Sequence, residues 1–187
     1  MMTGTDKKVN LYSRDLGFLT ELTTLNDWSW STRFRPKTQE VAITTNSGLI
    51  SVQQLARINI FSSYRELYAR RDNFTDVIIE NIAVNQKLRV KCKELVKKIS
   101  IFKDKLAVLQ NERLLIYVAA EEGLKYSPYR KITKKFECDS MEILNSHALF
   151  SKDNRIQVFN FLGELEREWI LDAKVTYLRT IGGPPKR

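Results

Sequence analysis

Chemistry in this chain would have to come from very few side chains. His147 is the single histidine among 187 residues. An imidazole base or metal site needs partners at suitable spacing, and His147 has no second histidine to pair with. Cys92 and Cys138 lie far apart and supply neither a disulfide framework nor metal-ligand spacing. There is no P-loop and no GxGxxG turn. The carboxylates are scattered among lysines, and Cys92 reads as a small apolar residue. The expectation is a non-enzyme with no cofactor, no metal and no small-molecule substrate.

Cationic side chains carry the strongest chemical bias. The formal net charge is +9, and the excess is concentrated in two places. Residues 87–105 hold Lys87, Arg89, Lys91, Lys93, Lys97, Lys98, Lys103 and Lys105 against Glu94 and Asp104. A second cluster comprises Lys125, Arg130, Lys131, Lys134 and Lys135. Candidate anion or nucleic-acid contacts are therefore Lys87, Lys91, Lys97, Lys98, Arg130, Lys131, Lys134 and Lys135; the alternative is a solvated face and a basic loop. Inside the second cluster, Ser127-Pro128-Tyr129-Arg130 resembles the substrate consensus of proline-directed, cyclin-dependent kinases. This makes Ser127 a candidate phosphorylation site, and a phosphate there would add about two negative charges to a basic cluster. The other reading is a plain turn stopped by Pro128.

Aromatic and cationic types coincide once more in the N-terminal part. Trp28, Trp30 and Phe34 alternate with polar residues, which favours an extended conformation, and with Arg33 they make a candidate docking strip. The alternative is packing on a preceding helix.

These residues need elements to position them, and the periodicity points to helices. Residues 51–123 contain no proline, and no glycine before Gly123. With Cys92 at position a of a heptad, Tyr64, Ile78, Cys92, Ile99 and Leu106 fall at a. Ile60, Leu67, Phe74, Leu88, Leu95, Phe102, Leu109 and Ile116 fall at d. The polar exceptions are Arg71, Asn85 and Arg113 at a and Asn81 at d. A register held this long predicts one coiled-coil helix over about 52–122, on the order of 100 Å long. Ser51 with Gln54 would cap it, Gly123 would end it, and Asp72-Asn73 is its weak point. The interface would be Phe74, Ile78, Asn81, Asn85, Leu88, Cys92, Leu95, Ile99, Phe102, Leu106, Leu109 and Ile116, with Asn81 and Asn85 setting register.

The flanks complete an all-α, elongated expectation. A short helix is predicted from Ser13 to about Asn26, with Leu16, Leu19, Leu22 and Leu25 on one side. Asn46-Ser47-Gly48 between apolar runs also permits a small hairpin before the long helix. Residues 139–187 read as a helical pair, the second ending at Gly182-Gly183-Pro184-Pro185. The expected domains are an N-terminal docking segment (1–50), the long helix (51–123), a basic linker (124–138) and the C-terminal helices (139–187).

No run of about 18 apolar residues is present, so no membrane-spanning helix is expected. The N-terminus lacks a signal-peptide pattern, and cysteine usage fits a reducing, intracellular setting, cytoplasmic or nuclear, with cytoskeletal association possible in kind. The functional expectation is a non-catalytic scaffold subunit in a cytoskeletal, ciliary, centrosomal or chromosome-linked complex. Lysines flanking the seam favour a heterologous helical partner over a homodimer. The other class is a basic nucleic-acid-binding oligomer, nucleocapsid-like or DNA-associated, acting through 87–105 and 125–135.

Overall fold

Residues three positions apart share one side of a helix but lie on opposite faces of a strand. That difference decides this fold. The computed structural model describes residues 2–3, 6–13, 15–36, 38, 40–55 and 59–180. Among them there is no helix, and all regular structure is antiparallel strand. The all-α, coiled-coil expectation is therefore overturned, including the long helix over 52–122, the N-terminal helix and the C-terminal pair. The stop expected at 182–185 lies outside the described residues.

The chain divides into two compact units, Met1–Asn59 with Lys93–Leu95, and Ile60–Cys92 with Val96–Arg187. In the first unit, β1 (Met2–Thr3), β2 (Lys8–Tyr12) and β3 (Phe18–Thr24) form one sheet. β4 (Ser29–Phe34), β5 (Glu40–Thr45) and β6 (Ile50–Gln54) form another. Val9, Val41 and Ile43 are its buried core, with Leu22, Leu25 and Leu55 packed against them. Around 46–54 the turn chemistry prevails over the helix cap. Gly48 takes a φ of 82°, which glycine adopts without strain.

The second unit contains three four-stranded meanders in sequence order. The first comprises β7 (Phe61–Tyr64), β8 (Leu67–Asp72), β9 (Asp76–Asn81) and β10 (Gln86–Lys91). The second comprises β11 (Lys98–Phe102), β12 (Lys105–Leu109), β13 (Leu114–Ala119) and β14 (Tyr126–Ile132). The third comprises β15 (Ser140–Ile143), β16 (His147–Lys152), β17 (Arg155–Asn160) and β18 (Leu165–Ile170).

The middle sheet is buried on both faces. Ile99, Ile101, Leu106 and Val108 pack with Ala69, Val77 and Ile79 of the first sheet. Phe102, Ala107, Leu109, Leu114 and Ile116 pack with Met141, Ile143, Phe150 and Phe159 of the third. The heptad residues thus separate by position. Cys92, Ile99 and Leu106, all at a, enter one core, while Phe102, Leu109 and Ile116, all at d, enter the other. A sheet covered on both sides needs apolar residues at consecutive positions, hence Ile-Ser-Ile-Phe and Leu-Ala-Val-Leu rather than clean alternation. Burying each Leu or Ile contributes about 1.5–3 kcal/mol before entropy is counted.

The last strand of each meander is largely exposed, and the inner strands hold most of the buried residues. Four of the five residues of β11 are buried, whereas every residue of β18 is exposed. First strands of neighbouring sheets are adjacent, β11 lying beside both β7 and β15. Serines stitch them together. Ser62 Oγ accepts from the Ile101 N–H at 3.1 Å. At the corresponding place one sheet on, Ser100 Oγ accepts from the Ile143 N–H at 2.9 Å and donates to Glu142 Oε2 at 3.1 Å. Thr180 Oγ1 donates to that same carboxylate oxygen at 3.1 Å.

Two outcomes follow from this polar spine. Ser100 is fully buried, so Ser100→Ala leaves the Ile143 N–H without its partner and should cost about 1–3 kcal/mol in a denaturant titration. A change below about 0.5 kcal/mol would show that the bond contributes little. Burial pushes the Glu142 carboxyl above the ordinary carboxylate value, outweighing the Thr180 and Ser100 bonds that favour its charged form. The folded state therefore holds this proton to higher pH than the unfolded chain. The resulting stability is present in acid and lost as pH rises through the raised pKa. Glu142→Gln should remove that loss, so its melting temperature should gain on the parent as pH rises above the unfolded carboxylate value of about 4.3.

Candidate protein-interaction surface

Two hairpin turns of the second unit repeat one chemical pattern. β7 and β8 are joined by Arg65-Glu66 after Tyr64, and β11 and β12 by Lys103-Asp104 after Phe102. Closing a two-residue hairpin requires positive φ at the first turn position. Here that position is occupied by long cations, Arg65 at φ 52° and Lys103 at φ 53°. Each turn is pinned in the same way. The Ile82 N–H donates to Glu66 O at 2.9 Å, and the Ala119 N–H donates to Asp104 O at 2.6 Å. Each cation lies over the ring before it, Arg65 Cζ at 5.5 Å from the Tyr64 centroid and Lys103 Nζ at 5.4 Å from that of Phe102. The two rings meet edge-on at 4.9 Å. Beside them is a cavity of about 430 Å³ lined by Tyr64, Arg65, Glu66, Leu67, Asn81 and Lys103.

Neither turn was marked in the sequence, because neither carries glycine or asparagine. The available signal was the repeat of aromatic, cation and acid, with positions 64 and 102 standing 38 residues apart. Stacked sheet units recur at intervals of about 40 residues in some repeat architectures.

The expected interface residues take other places. Phe74 is in the β8–β9 turn beside Asn73, whose φ of 47° makes the weak point at 72–73 a reversal of the chain. Ile78 is on β9, Leu88 on β10, and Leu95 in the connection before β11. Asn81 Oδ1 accepts from the Ala83 and Val84 N–H groups, and Asn85 has φ 49°, so both asparagines shape the β9–β10 turn. Cys92, Ile99, Phe102, Leu106, Leu109 and Ile116 are buried in the cores described above.

The basic candidates are spread over separate strands. Lys87 and Lys91 are on β10, where Lys87 meets Glu80 at 3.4 Å and Arg89 bridges Asp72 and Asp76. Lys98, at the start of β11, donates to Asp139 O at 2.6 Å, and Lys97 precedes it. Arg130 and Lys131 are exposed on β14. Lys134 lies 4.6 Å over the Phe159 ring and donates to Gly163 O, and Lys135 pairs with Glu137 at 3.5 Å. Ser127 is exposed on β14, opposite Val118. The pairing skips Tyr129, so a bulge follows Pro128 directly. A bulge and a proline both blunt an edge strand against further pairing.

Trp28, Trp30, Arg33 and Phe34 belong to the first unit, at and along β4. Trp30 is 70% exposed and its Nε1 donates to Asn46 Oδ1 at 3.1 Å. The structure keeps all four solvent-facing.

The groups singled out for reactivity are held in structural roles. His147 Nε2 lies 2.7 Å from Glu166 Oε2, and Ser146 Oγ contacts its Nδ1. Burial raises the Cys92 thiol and pushes Cys138 up to about 11, so both are neutral thiols near pH 7. Burial likewise raises the Tyr117 and Tyr126 phenols to about 12. Among the described residues, no cluster of histidine, cysteine and carboxylate could hold a metal ion.

Comparison with known proteins fits this arrangement of repeated four-stranded sheets. The chain is 38% identical to the Intraflagellar transport protein 122 homolog of Homo sapiens over 190 aligned residues, covering 100% of this chain and 15% of that protein. It is 36% identical to the homolog of Xenopus tropicalis and 37% to that of Mus musculus, again over 100% of this chain and 16% of each relative. The chain thus spans about one-sixth of the length of these relatives. The family described as the IFT122 second beta-propeller matches residues 61–187, starting at the first residue of β7. Each four-stranded meander of the second unit is then one propeller blade, and the chain belongs to the IFT122 second beta-propeller family.

Proposed function

We propose that this chain is a non-catalytic propeller part of a subunit in an intraflagellar transport assembly, acting inside the cell by holding protein partners. The family match across the three four-stranded blades is the observation that carries this reading. The printed name of the relatives supplies the process. Propeller blades offer turns and exposed outer strands rather than helical seams, so the partners are held by loops and sheet edges. A heterologous partner suits the mixed chemistry of these edges. The basic row of β10 is already crossed by Asp72, Asp76 and Glu80, and β14 is blunted by Pro128 and its bulge. Neither is a self-complementary strip. A nucleic-acid partner has less support, since the lysines and arginines occupy separate strands and several are already engaged.

The test places Leu106→Asp in the full-length protein of a flagellated cell. Leu106 is fully buried between blades, so a carboxylate there should collapse this segment. The expected result is loss of co-sedimentation with the large transport assembly and failure to enter the flagellum. Unchanged assembly and entry would contradict the proposal.

A further inference from the structure

The hairpins require positive φ at positions 65 and 103, but not the long cations that occupy them. A left-handed φ suits glycine, asparagine or aspartate, and a long cation there is held against its local preference. Strain of this kind concentrates at binding sites. Two adjacent blades carry it at the same position, each with a long cation over the aromatic ring before it, Arg65 on Tyr64 and Lys103 on Phe102, and each with the same backbone pin. Among the described residues, no carboxylate lies within ion-pair distance of Arg65 or Lys103, whereas the neighbouring Lys105 pairs with Asp104 at 2.9 Å.

We infer that the cavity between these turns is a docking site for an extended, acidic segment of a partner protein, one that places a carboxylate between Arg65 and Lys103 beside an apolar side chain. This deepens, and rests on, the reading of the chain as a partner-holding part of an assembly. Charge complementarity selects the carboxylate, and the guanidinium fork of Arg65 can grip it with two hydrogen bonds. The ring faces beneath both cations keep them extended over the cavity without neutralising them. The cavity, at about 430 Å³, is within the usual range for a ligand pocket. Leu67 lines its wall. Ile82 and Val84, 70% and 58% exposed, stand in the loop that the Ile82–Glu66 bond ties to the first turn. Asn81, which also lines the cavity, uses its Oδ1 on its own loop. Glu66, on the same rim, disfavours a segment with the charge placed one residue out of register.

The test uses the 187-residue chain and a fluorescein-labelled peptide, Gly-Glu-Phe-Glu-Glu-Leu-Gly, with a lysine-for-glutamate peptide as control. Fluorescence anisotropy should show binding of the acidic peptide that weakens with salt, and no binding of the lysine peptide. The double variant Arg65→Asn with Lys103→Asn should weaken binding at least about tenfold. Because asparagine suits a left-handed φ, that variant should melt at the same or a higher temperature. A purely structural role for the two cations would not produce this combination. Arg130→Asn with Lys131→Asn, on the outer strand, should leave binding unchanged. Equal affinity in the Arg65/Lys103 double variant, equal binding of the lysine peptide, or loss of binding only in the Arg130/Lys131 variant would overturn the inference. Each of those results is read on the isolated chain. None bears on whether Leu106→Asp removes the full-length protein from the transport assembly.

Discussion

Everything in the second unit depends on the middle blade having no free face. β11 and β12 are covered by one neighbour through Ile99, Ile101, Leu106 and Val108, and by the other through Ala107 and Leu109. A single four-stranded meander of this size would leave a large apolar surface in water. Neighbouring blades remove it, so each blade is stable because of the next. The serine spine adds specificity to this apolar stacking. Ser62 and Ser100 fix the height of one first strand against the next through bonds to the Ile101 and Ile143 N–H groups.

This double burial explains what could and could not be read in the sequence. Asp72-Asn73, read as the weak point of a helix, and Asn46-Ser47-Gly48, read as a possible hairpin, are both chain reversals, while Asn81 and Asn85, read as setting helix register, shape a third. Strand periodicity was not legible over 98–119, because a strand buried on both faces has no polar alternation to show. Apolar residues spaced by three and four then imitate a heptad. The discriminating feature was residue type. Ile99, Ile101, Val108, Ile116 and Val118 are β-branched, and Asn73, Asn85 and Lys103 stand at regular reversals. The spacing between Tyr64-Arg65-Glu66 and Phe102-Lys103-Asp104 held the repeat, but three-residue similarity is faint without the fold to align it.

The same constraint places function at the ends and edges of the blades. Faces are committed to packing, and the first strands to the spine. What remains free is the set of turns at one end and the outermost strands, where β10, β14 and β18 are largely exposed. β14 and β18 each carry a bulge, while β10 is regular but laced with cross-strand ion pairs. These devices discourage added strands. The first-strand turns lack such protection and concentrate strain, cations and exposed apolar residues in one place.

Amide hydrogen exchange along the chain tests the blade architecture most directly. The slowest exchange is expected in Ile99–Phe102 and Leu106–Leu109. Fast exchange should separate successive strands at residues 83–85, 111–113 and 121–124, between the bonded amides of Ile82, Gln110, Ala120 and Lys125. One unbroken protected block running from about residue 52 to 122, with 83–85 as slow as its flanks, would contradict the blade architecture.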